Sequence, residues 1–179
     1  MDFIVREKET EQDMENFLAL EIVSARENSP AKPGKTNEEY REELLEYLNS
    51  KSKTGIFIAE ANGGKFAGFI WVSNRDGGEL WDFDIQPAWI YDIRVLPKFR
   101  RRGLGTQLLL QAEQWARNEG FSKIGLHVFG SNEPAINLYQ SQHYKMRNYY
   151  FQKEITLEVM VTTGEQKPHQ MYPFDQLFT

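Results

Sequence analysis

One short segment combines the residue types of an anion-binding site. Three consecutive arginines, 100–102, follow a strand-like apolar run and precede Gly103 and Gly105. Apolar periodicity from Leu104 onward predicts a helix, and the first amide groups of a helix have no partner within it. These N–H groups and the helix dipole attract anions, glycines let a ligand approach the main chain, and arginines add charge-assisted hydrogen bonds. We therefore expect the segment 100–106 to bind a diphosphate.

Two other glycine-rich phosphate motifs do not fit this segment. A dinucleotide-binding fingerprint needs a third glycine at position 108, where the chain has Leu108. A P-loop needs Gly-Lys-Ser/Thr, which the segment lacks. NAD and ATP are therefore poor candidates. The alternative at this point is a solvated basic turn with no ligand.

The elements that must position this segment follow from hydrophobic periodicity and turn signals. We expect helices at Glu9–Ala25, from the capping box Thr36–Glu39 onward, at Leu104–Asn118 and at Ser131–Gln142. We expect strands at Phe3–Arg6, Gly55–Ala61, Phe66–Val72, Trp89–Val95, Lys123–Phe129 and Lys145–Ile155. A hairpin at Asn62–Gly64 followed by two strand–helix units predicts an α+β fold with a mixed central sheet and flanking helices.

Two motifs resemble one known family. Arg100-x-x-Gly103-x-Gly105 after a strand resembles the coenzyme-binding motif of the GNAT superfamily of acyl-CoA-dependent N-acyltransferases. The run Leu126–Tyr139, with its Asn, Ala and Leu-Tyr, resembles the strand and helix that follow in that family. The resemblance covers roughly residues 55 to 155. At His143 and Tyr144 the chain departs from the Gly-Phe that the family often has, so the helix lacks its usual glycine stop.

The resemblance implies a twisted, three-layer α/β arrangement in which acetyl-CoA, as co-substrate, lies between the splayed strands 89–95 and 123–129. Pantetheine and the acetyl carbonyl are then expected to contact Ile93, Arg94 and Val95. The pyrophosphate is expected to contact Arg100, Arg101, Arg102, Gly103, Leu104, Gly105 and Thr106. Asn132 is expected beside the coenzyme, and Tyr139 near its sulfur. No metal is implied.

The implied reaction is transfer of an acetyl group from acetyl-CoA to a primary amine of a small molecule or protein. Tyr139 is our candidate acid for the leaving thiolate. The base stays open between Asp92, which strand alternation should point away from Tyr91, and His127, predicted in mid-strand. Glu79, Asp82 and Asp84 are predicted to line the amine entrance, among aromatic residues that include Trp81, Phe83, Tyr149 and Tyr150.

Composition limits the remaining alternatives. The chain has 179 residues, no cysteine and a net charge of −5, which argues against nucleic-acid or anionic-membrane binding and excludes a cysteine nucleophile. We see no signal peptide or membrane span, so we expect a cytoplasmic protein. We expect an N-acetyltransferase domain at 1–157 and a docked, aromatic tail at 158–179, which is compatible with a homodimer. The alternatives are a non-catalytic acyl-CoA-sensing domain and a structural module.

Overall fold

A five-stranded mixed sheet lies between helices on its two faces. The computed structural model describes residues 2–28, 35–75 and 87–147. The strands are β1 (Phe3–Glu7), β2 (Thr54–Ala61), β3 (Lys65–Asn74), β4 (Ala88–Val95) and β5 (Ile124–Leu126). The helices are α1 (Glu11–Asn28), α2 (Asn37–Ser50), α3 (Leu104–Asn118) and α4 (Glu133–Ser141), with a 3₁₀ turn at Pro97–Phe99. The predicted α+β class with a mixed sheet is confirmed.

Local sequence signals account for most of these elements. The capping box predicted at Thr36 is present, because the Thr36 side chain accepts from the Glu39 amide and the Glu39 side chain accepts from the Thr36 amide. The predicted hairpin is confirmed, and Gly63 and Gly64 both take positive φ in its turn. Helix α3 has the bounds that periodicity predicts. No helix in the described parts of the chain is both long enough and apolar enough to span a bilayer.

Each face of the sheet packs against its own helices. Helix α3 packs on one face, where Leu104, Leu108 and Leu109 are buried with Ile70 and Val72. Helices α1 and α2 pack on the other face. Phe17 and Leu18 of α1 and Leu44 and Leu48 of α2 are buried there with Phe69. These two groups of buried residues hold the helices against the sheet. The start of α3, which the predicted site needs, is positioned in this way.

The sheet opens between its last two strands. Strands β1 to β4 pair antiparallel, whereas β4 and β5 pair in parallel over only three residues, Ala88–Ile90 with Ile124–Leu126. The strand predicted at 123–129 is therefore too long, because β5 ends at Leu126 and the chain leaves the sheet there. Of the last predicted strand, residues 145–147 are not in a strand, and the remainder lies outside the described residues, as does the 157/158 domain boundary.

A β-bulge in β4 corrects one predicted side-chain direction. Trp71 pairs with Asp92 and Val72 pairs with Ile90, so Tyr91 is an extra residue opposite β3. The Tyr91 ring stacks on Trp71, with centroids 4.6 Å apart, and the Asp92 carboxylate accepts a hydrogen bond from Ser24 of α1. Both side chains therefore lie on the α1 face. The prediction that Asp92 points away from Tyr91 is wrong because the bulge cancels the strand alternation.

Helix α4 ends without glycine. His143 follows the helix with φ of 65° and donates its amide to the Gln140 carbonyl, while the Tyr144 amide donates to the Tyr139 carbonyl at 3.0 Å. This pair of bonds is a Schellman motif, whose left-handed position usually holds glycine. A side chain with a Cβ atom costs roughly 1–2 kcal/mol in the left-handed region.

Replacing His143 by Gly is therefore expected to stabilise the protein. We expect the free energy of unfolding, measured by urea denaturation, to rise by about 0.5–1 kcal/mol, since glycine relieves the strain but also loses more backbone entropy on folding. His143→Ala is the matched control, because it keeps the Cβ atom and should bring no gain. An equal gain in both variants would trace the effect to loss of the imidazole and not to the backbone.

Candidate active site

A large cleft opens where β4 and β5 diverge. Its volume is about 1350 Å³, above the range of roughly 300–1,000 Å³ that holds most small ligands. Among the described residues, each one predicted to bind coenzyme or to act in catalysis lines it, except Arg102. From the predicted coenzyme and catalytic sets these are Asp92, Ile93, Arg94, Val95, Arg100, Arg101, Gly103, Leu104, Gly105, Thr106, His127, Asn132 and Tyr139. The cleft therefore has room for a long ligand and a second molecule.

The N-terminus of α3 forms one end of the cleft. The first bond of its ladder runs from the Gln107 amide to the Gly103 carbonyl, at 3.1 Å, so the amides of residues 104–106 precede the ladder. Among the described residues, no side chain caps this helix. Arg100 and Arg101 are exposed beside it. Open amides, a helix dipole and two guanidinium groups make this end suited to an anion.

Gly103 and Gly105 have different roles in the structure at the start of α3. Gly103 has φ of 79°, a left-handed conformation that other residues adopt at a cost. A Cβ atom on Gly105 would lie 2.9 Å from Leu138 Cδ2, so a side chain here displaces the end of Leu138 on α4. Gly103 thus has a conformational role and Gly105 a steric role within the fold, beside the ligand approach predicted for both.

One edge of β4 faces the opening. The Leu96 amide donates to the Ala67 carbonyl of β3 at 2.9 Å. Alternate peptide groups of a strand face opposite neighbours, so the N–H and C=O groups of Ile93 and Val95 face the side of β5. Beyond Ile90, β5 no longer pairs with β4. This edge therefore offers main-chain hydrogen bonds to an extended ligand.

Two of these peptide groups already have partners within the chain. The Ile93 amide donates to Asp92 Oδ1 at 2.8 Å, and Arg100 Nε donates to the Val95 carbonyl at 2.9 Å. The Arg100 side chain therefore folds back onto the strand. The Val95 amide lies on the same edge of β4 and faces the side of β5.

A carboxyl pair lies in the wall that α1 and β4 share. Asp92 Oδ2 accepts from Ser24 Oγ at 2.6 Å and from Arg94 Nε at 3.2 Å. Glu21 of α1 lies beside Asp92 and is buried. Burial and the adjacent Asp92 charge raise the pKa of Glu21 to about 9, so the pair holds one proton at neutral pH.

Tyr139 of α4 lies on the same cleft. Its side chain is 8% exposed, and its ring lies 6.0 Å from that of Tyr144. Burial raises the pKa of Tyr139 to about 12, and the charge of Asp92 adds to the rise while Arg94 opposes it. The phenol therefore keeps its proton at neutral pH and is a hydrogen-bond donor.

His127 lies just past the end of β5, not in mid-strand as predicted. It is exposed, and its ring packs edge-on against Trp89 with centroids 4.8 Å apart. Partial burial and the charge of Arg75 hold the pKa of His127 below its ordinary value of 6.5. The imidazole is therefore neutral at pH 7 and can accept a proton.

Asn132 caps α4 and lines the cleft. Its side chain accepts from the Ala135 amide at 3.3 Å, and Asn132 is exposed, so capping leaves the residue accessible. The acidic residues predicted at the amine entrance, Glu79, Asp82 and Asp84, lie outside the described residues, as do Trp81, Phe83, Tyr149 and Tyr150. Within the ranges that the structure describes, no three side chains of metal-ligating type cluster together.

Sequence reasoning missed Glu21. Helical spacing could have indicated that Glu21 is buried. Phe17, Glu21 and Ser24 are four and three residues apart, and they share the buried face of α1. A carboxyl group on an otherwise buried helix face needs a partner.

Comparison with known proteins gives a consistent result. Residues 20–144 match the model of the acetyltransferase (GNAT) family. An uncharacterized N-acetyltransferase of Methanocaldococcus jannaschii is 30% identical over 136 residues, which are 73% of this chain and 56% of that protein. The chain thus spans little more than half the length of this relative.

Two solved structures share the fold. A suggested acetyl transferase from Pyrococcus furiosus has a TM-score of 0.67 at 28% identity, and the match covers 86% of this chain and 100% of that one. An aminoglycoside N-acetyltransferase, solved with a bisubstrate analogue of CoA and acetylneamine, has a TM-score of 0.63 at 22% identity. That match covers 87% of this chain and 100% of the other.

Proposed function

Because this chain belongs to the acetyltransferase (GNAT) family, we propose that it transfers an acetyl group from acetyl-CoA to a primary amine. The observation that carries the proposal is the cleft between β4 and β5. Its lining includes an open helix N-terminus, a buried phenol and a carboxyl pair. The relative solved with a CoA-containing analogue has the same fold. We further propose that the protein acts in the cytoplasm.

The residues of the cleft suit the parts of the coenzyme. The open amides at residues 104–106 and the guanidinium groups of Arg100 and Arg101 would hold the diphosphate. The Ile93 carbonyl, which faces the side of β5, would accept a hydrogen bond from an amide of the pantetheine chain. Asn132 lines the same cleft. The anionic and the neutral part of the coenzyme thus each meet matching chemistry.

Acetyl transfer from a thioester to an amine needs three contributions from the protein. The amine nitrogen must lose a proton, the thioester oxygen must be stabilised as it gains charge, and the leaving sulfur must receive a proton. The Val95 amide faces the gap and is our candidate donor to the oxygen. Tyr139, which keeps its proton at neutral pH, is our candidate donor to the sulfur.

The acceptor is proposed to be a cationic amine. Glu27 and Asp92 line the cleft as carboxylates that share Arg94 as a partner, while Glu21 holds a proton at neutral pH and Arg26 and Lys35 also line the cleft. The carboxylates of Glu27 and Asp92 attract an ammonium group locally. Relatives named for aminoglycoside and thialysine acetylation act on such groups.

Amide perturbation by coenzyme A tests the proposal directly. We expect CoA to shift the backbone amide resonances of residues 103–106 in an ¹⁵N–¹H spectrum, because those N–H groups would meet the diphosphate. Pantetheine lacks the diphosphate and is the matched control, expected to shift Ile93 and Val95 but not 103–106. Unmoved amides at saturating CoA would refute the assignment. Binding without thiol release from acetyl-CoA with any amine would favour an acyl-CoA-sensing domain.

A further inference from the structure

The carbonyl group of Val95, the last residue of β4, is already occupied by a side chain. The Val95 carbonyl and the Leu96 amide belong to one trans peptide group, so they point in opposite directions. The Leu96 amide donates to the Ala67 carbonyl of β3 at 2.9 Å, and the Val95 carbonyl therefore points toward the cleft. Arg100 Nε donates to that carbonyl at 2.9 Å. The guanidinium group thus lies where an amide of an extended ligand would pair with β4.

The backbone of Arg100 is fixed, whereas its side chain can leave the strand. The Arg100 amide donates to the Pro97 carbonyl at 3.2 Å, and the adjacent Phe99 is buried against the ring of Phe3. Arg100 itself is exposed. Among the described residues, no carboxylate forms an ion pair with its guanidinium group. Departure from Val95 therefore costs one solvent-exposed hydrogen bond.

The other occupied group on this edge of β4 is held more firmly. The Ile93 amide donates to Asp92 Oδ1 at 2.8 Å, and the Asp92 carboxylate also accepts from Ser24 of α1 and from Arg94. Hydrogen bonds from two elements of the fold keep that carboxylate in place. The bond between Arg100 and Val95 is therefore the contact on this edge that a ligand can exchange.

A diphosphate is a stronger partner for Arg100 than the Val95 carbonyl is. A hydrogen bond between guanidinium and phosphate has an ionised donor and an ionised acceptor and is often bidentate, whereas a peptide carbonyl is neutral. Arg100 lies three residues before Gly103, and both residues line the same cleft. A diphosphate at the open amides of residues 104–106 therefore draws the guanidinium group away from β4.

We propose that Arg100 makes the cleft selective for thioesters of CoA over thioesters of pantetheine that lack the diphosphate. The inference rests on the proposed acetyl transfer and identifies a residue that selects its acyl donor. Without a diphosphate, Arg100 stays on the Val95 carbonyl and competes with the pantetheine amide for it. With CoA, the guanidinium group moves to the diphosphate and releases that carbonyl to the pantetheine chain. Binding of one part of the coenzyme thereby assists binding of the other.

Replacing Arg100 by Met is expected to change the affinities for CoA and pantetheine in opposite directions. Met keeps an apolar stem but has no N–H donor and no charge. We expect CoA to bind about tenfold more weakly, because the contact between guanidinium and diphosphate is lost. We expect pantetheine to bind about threefold to tenfold more tightly, because the competing hydrogen bond is gone. Pantetheine is uncharged, so the loss of a positive charge does not by itself alter its affinity.

Arg101→Met is the matched control for Arg100→Met. Arg101 is exposed and lines the same cleft, and within the described part of the chain its side chain makes no hydrogen bond to β4. We expect this variant to bind CoA more weakly and pantetheine with unchanged affinity. Titration of the Ile93 amide resonance measures the dissociation constant of pantetheine, and calorimetry measures that of CoA. An equal gain in pantetheine affinity in both variants would contradict the proposal.

The carbonyl resonance of Val95 reports on the Arg100 contact without any coenzyme. The ¹³C′ chemical shift of a peptide carbonyl depends on the hydrogen bond that it accepts, so Arg100→Met should move the Val95 resonance and Arg101→Met should not. Inorganic pyrophosphate added to the original protein should move this resonance in the same direction, because the anion draws the guanidinium group away. The same addition to Arg100→Met should leave the resonance in place.

The outcomes separate the role of Arg100 from the proposed acetyl transfer. Two results would overturn that role and leave the coenzyme site intact: pantetheine binding by Arg100→Met that is unchanged or weaker, and a Val95 carbonyl resonance that pyrophosphate does not move although the amides of residues 103–106 shift. Failure of the original protein to bind CoA would instead refute the proposed acetyl transfer. Tighter pantetheine binding together with weaker CoA binding supports Arg100 as the selecting residue.

Discussion

Replacing Tyr139 by Phe is expected to lower kcat for acetyl transfer by about a hundredfold, while the affinity for acetyl-CoA changes much less. The change removes one hydroxyl group from a side chain that is 8% exposed and leaves the ring to fill its site. If Tyr139 donates to the leaving sulfur, the loss falls on a step after binding. Thiol release under saturating acetyl-CoA and amine measures kcat, and calorimetric titration measures affinity.

The pH dependence of kcat gives a second test of the role of Tyr139. Because the pKa of Tyr139 is raised to about 12, the phenol stays protonated from pH 6 to 10. Removal of the Tyr139 hydroxyl group should therefore lower kcat by the same factor across that pH range. The plot of kcat against pH should show no additional inflection. A factor that varies with pH would indicate that another titrating group carries the effect.

Tyr144→Phe is the matched control for Tyr139→Phe. Tyr144 is the ring neighbour of Tyr139, its hydroxyl group lies beside Glu113 of α3, and it does not line the cleft. Its loss should leave kcat unchanged. Equal kcat values for the original protein and Tyr139→Phe would show that the phenol is not the acid.

Local patterns in the sequence were sufficient to predict most of the fold. The helix at Leu104–Asn118 and the hairpin around Gly63 depend on periodicity and turn chemistry that lie within a few residues. The strand predicted through Phe129 failed because its end is set by divergence from β4, a tertiary effect. The apolar run 126–129 looks the same whether or not a neighbour pairs with it.

The anion-binding end of the site was also predictable, because it depends on one helix terminus and adjacent charges. The carboxyl pair was not. The direction of Asp92 depends on the bulge at Tyr91, which a single sequence does not reveal. Glu21 lies 71 residues before Asp92 in the chain, and their contact exists only once α1 packs on the sheet. Side-chain contacts that depend on long-range pairing need the structure.

A carboxylate at position 105 is expected to weaken CoA binding far more than an amide of the same shape. Gly105 is the second residue of α3, in the turn whose amides are open. Any side chain here must displace the end of Leu138, which would lie 2.9 Å from a Cβ atom. Gly105→Asn and Gly105→Asp share that steric change and differ only in charge, so their comparison isolates the electrostatic part.

We expect Gly105→Asp to bind CoA about tenfold to a hundredfold more weakly than Gly105→Asn, since a carboxylate within ~4 Å of a phosphate costs roughly 1–4 kcal/mol. A negative side chain in the first helical turn stabilises the helix, so the weaker binding would not reflect unfolding. The difference should shrink as salt is added and should vanish for pantetheine, which has no diphosphate. Equal CoA affinities for the Asn and Asp variants at low salt would mean that the diphosphate lies elsewhere, because no anion can lie against this helix terminus and be indifferent to a charge in its first turn.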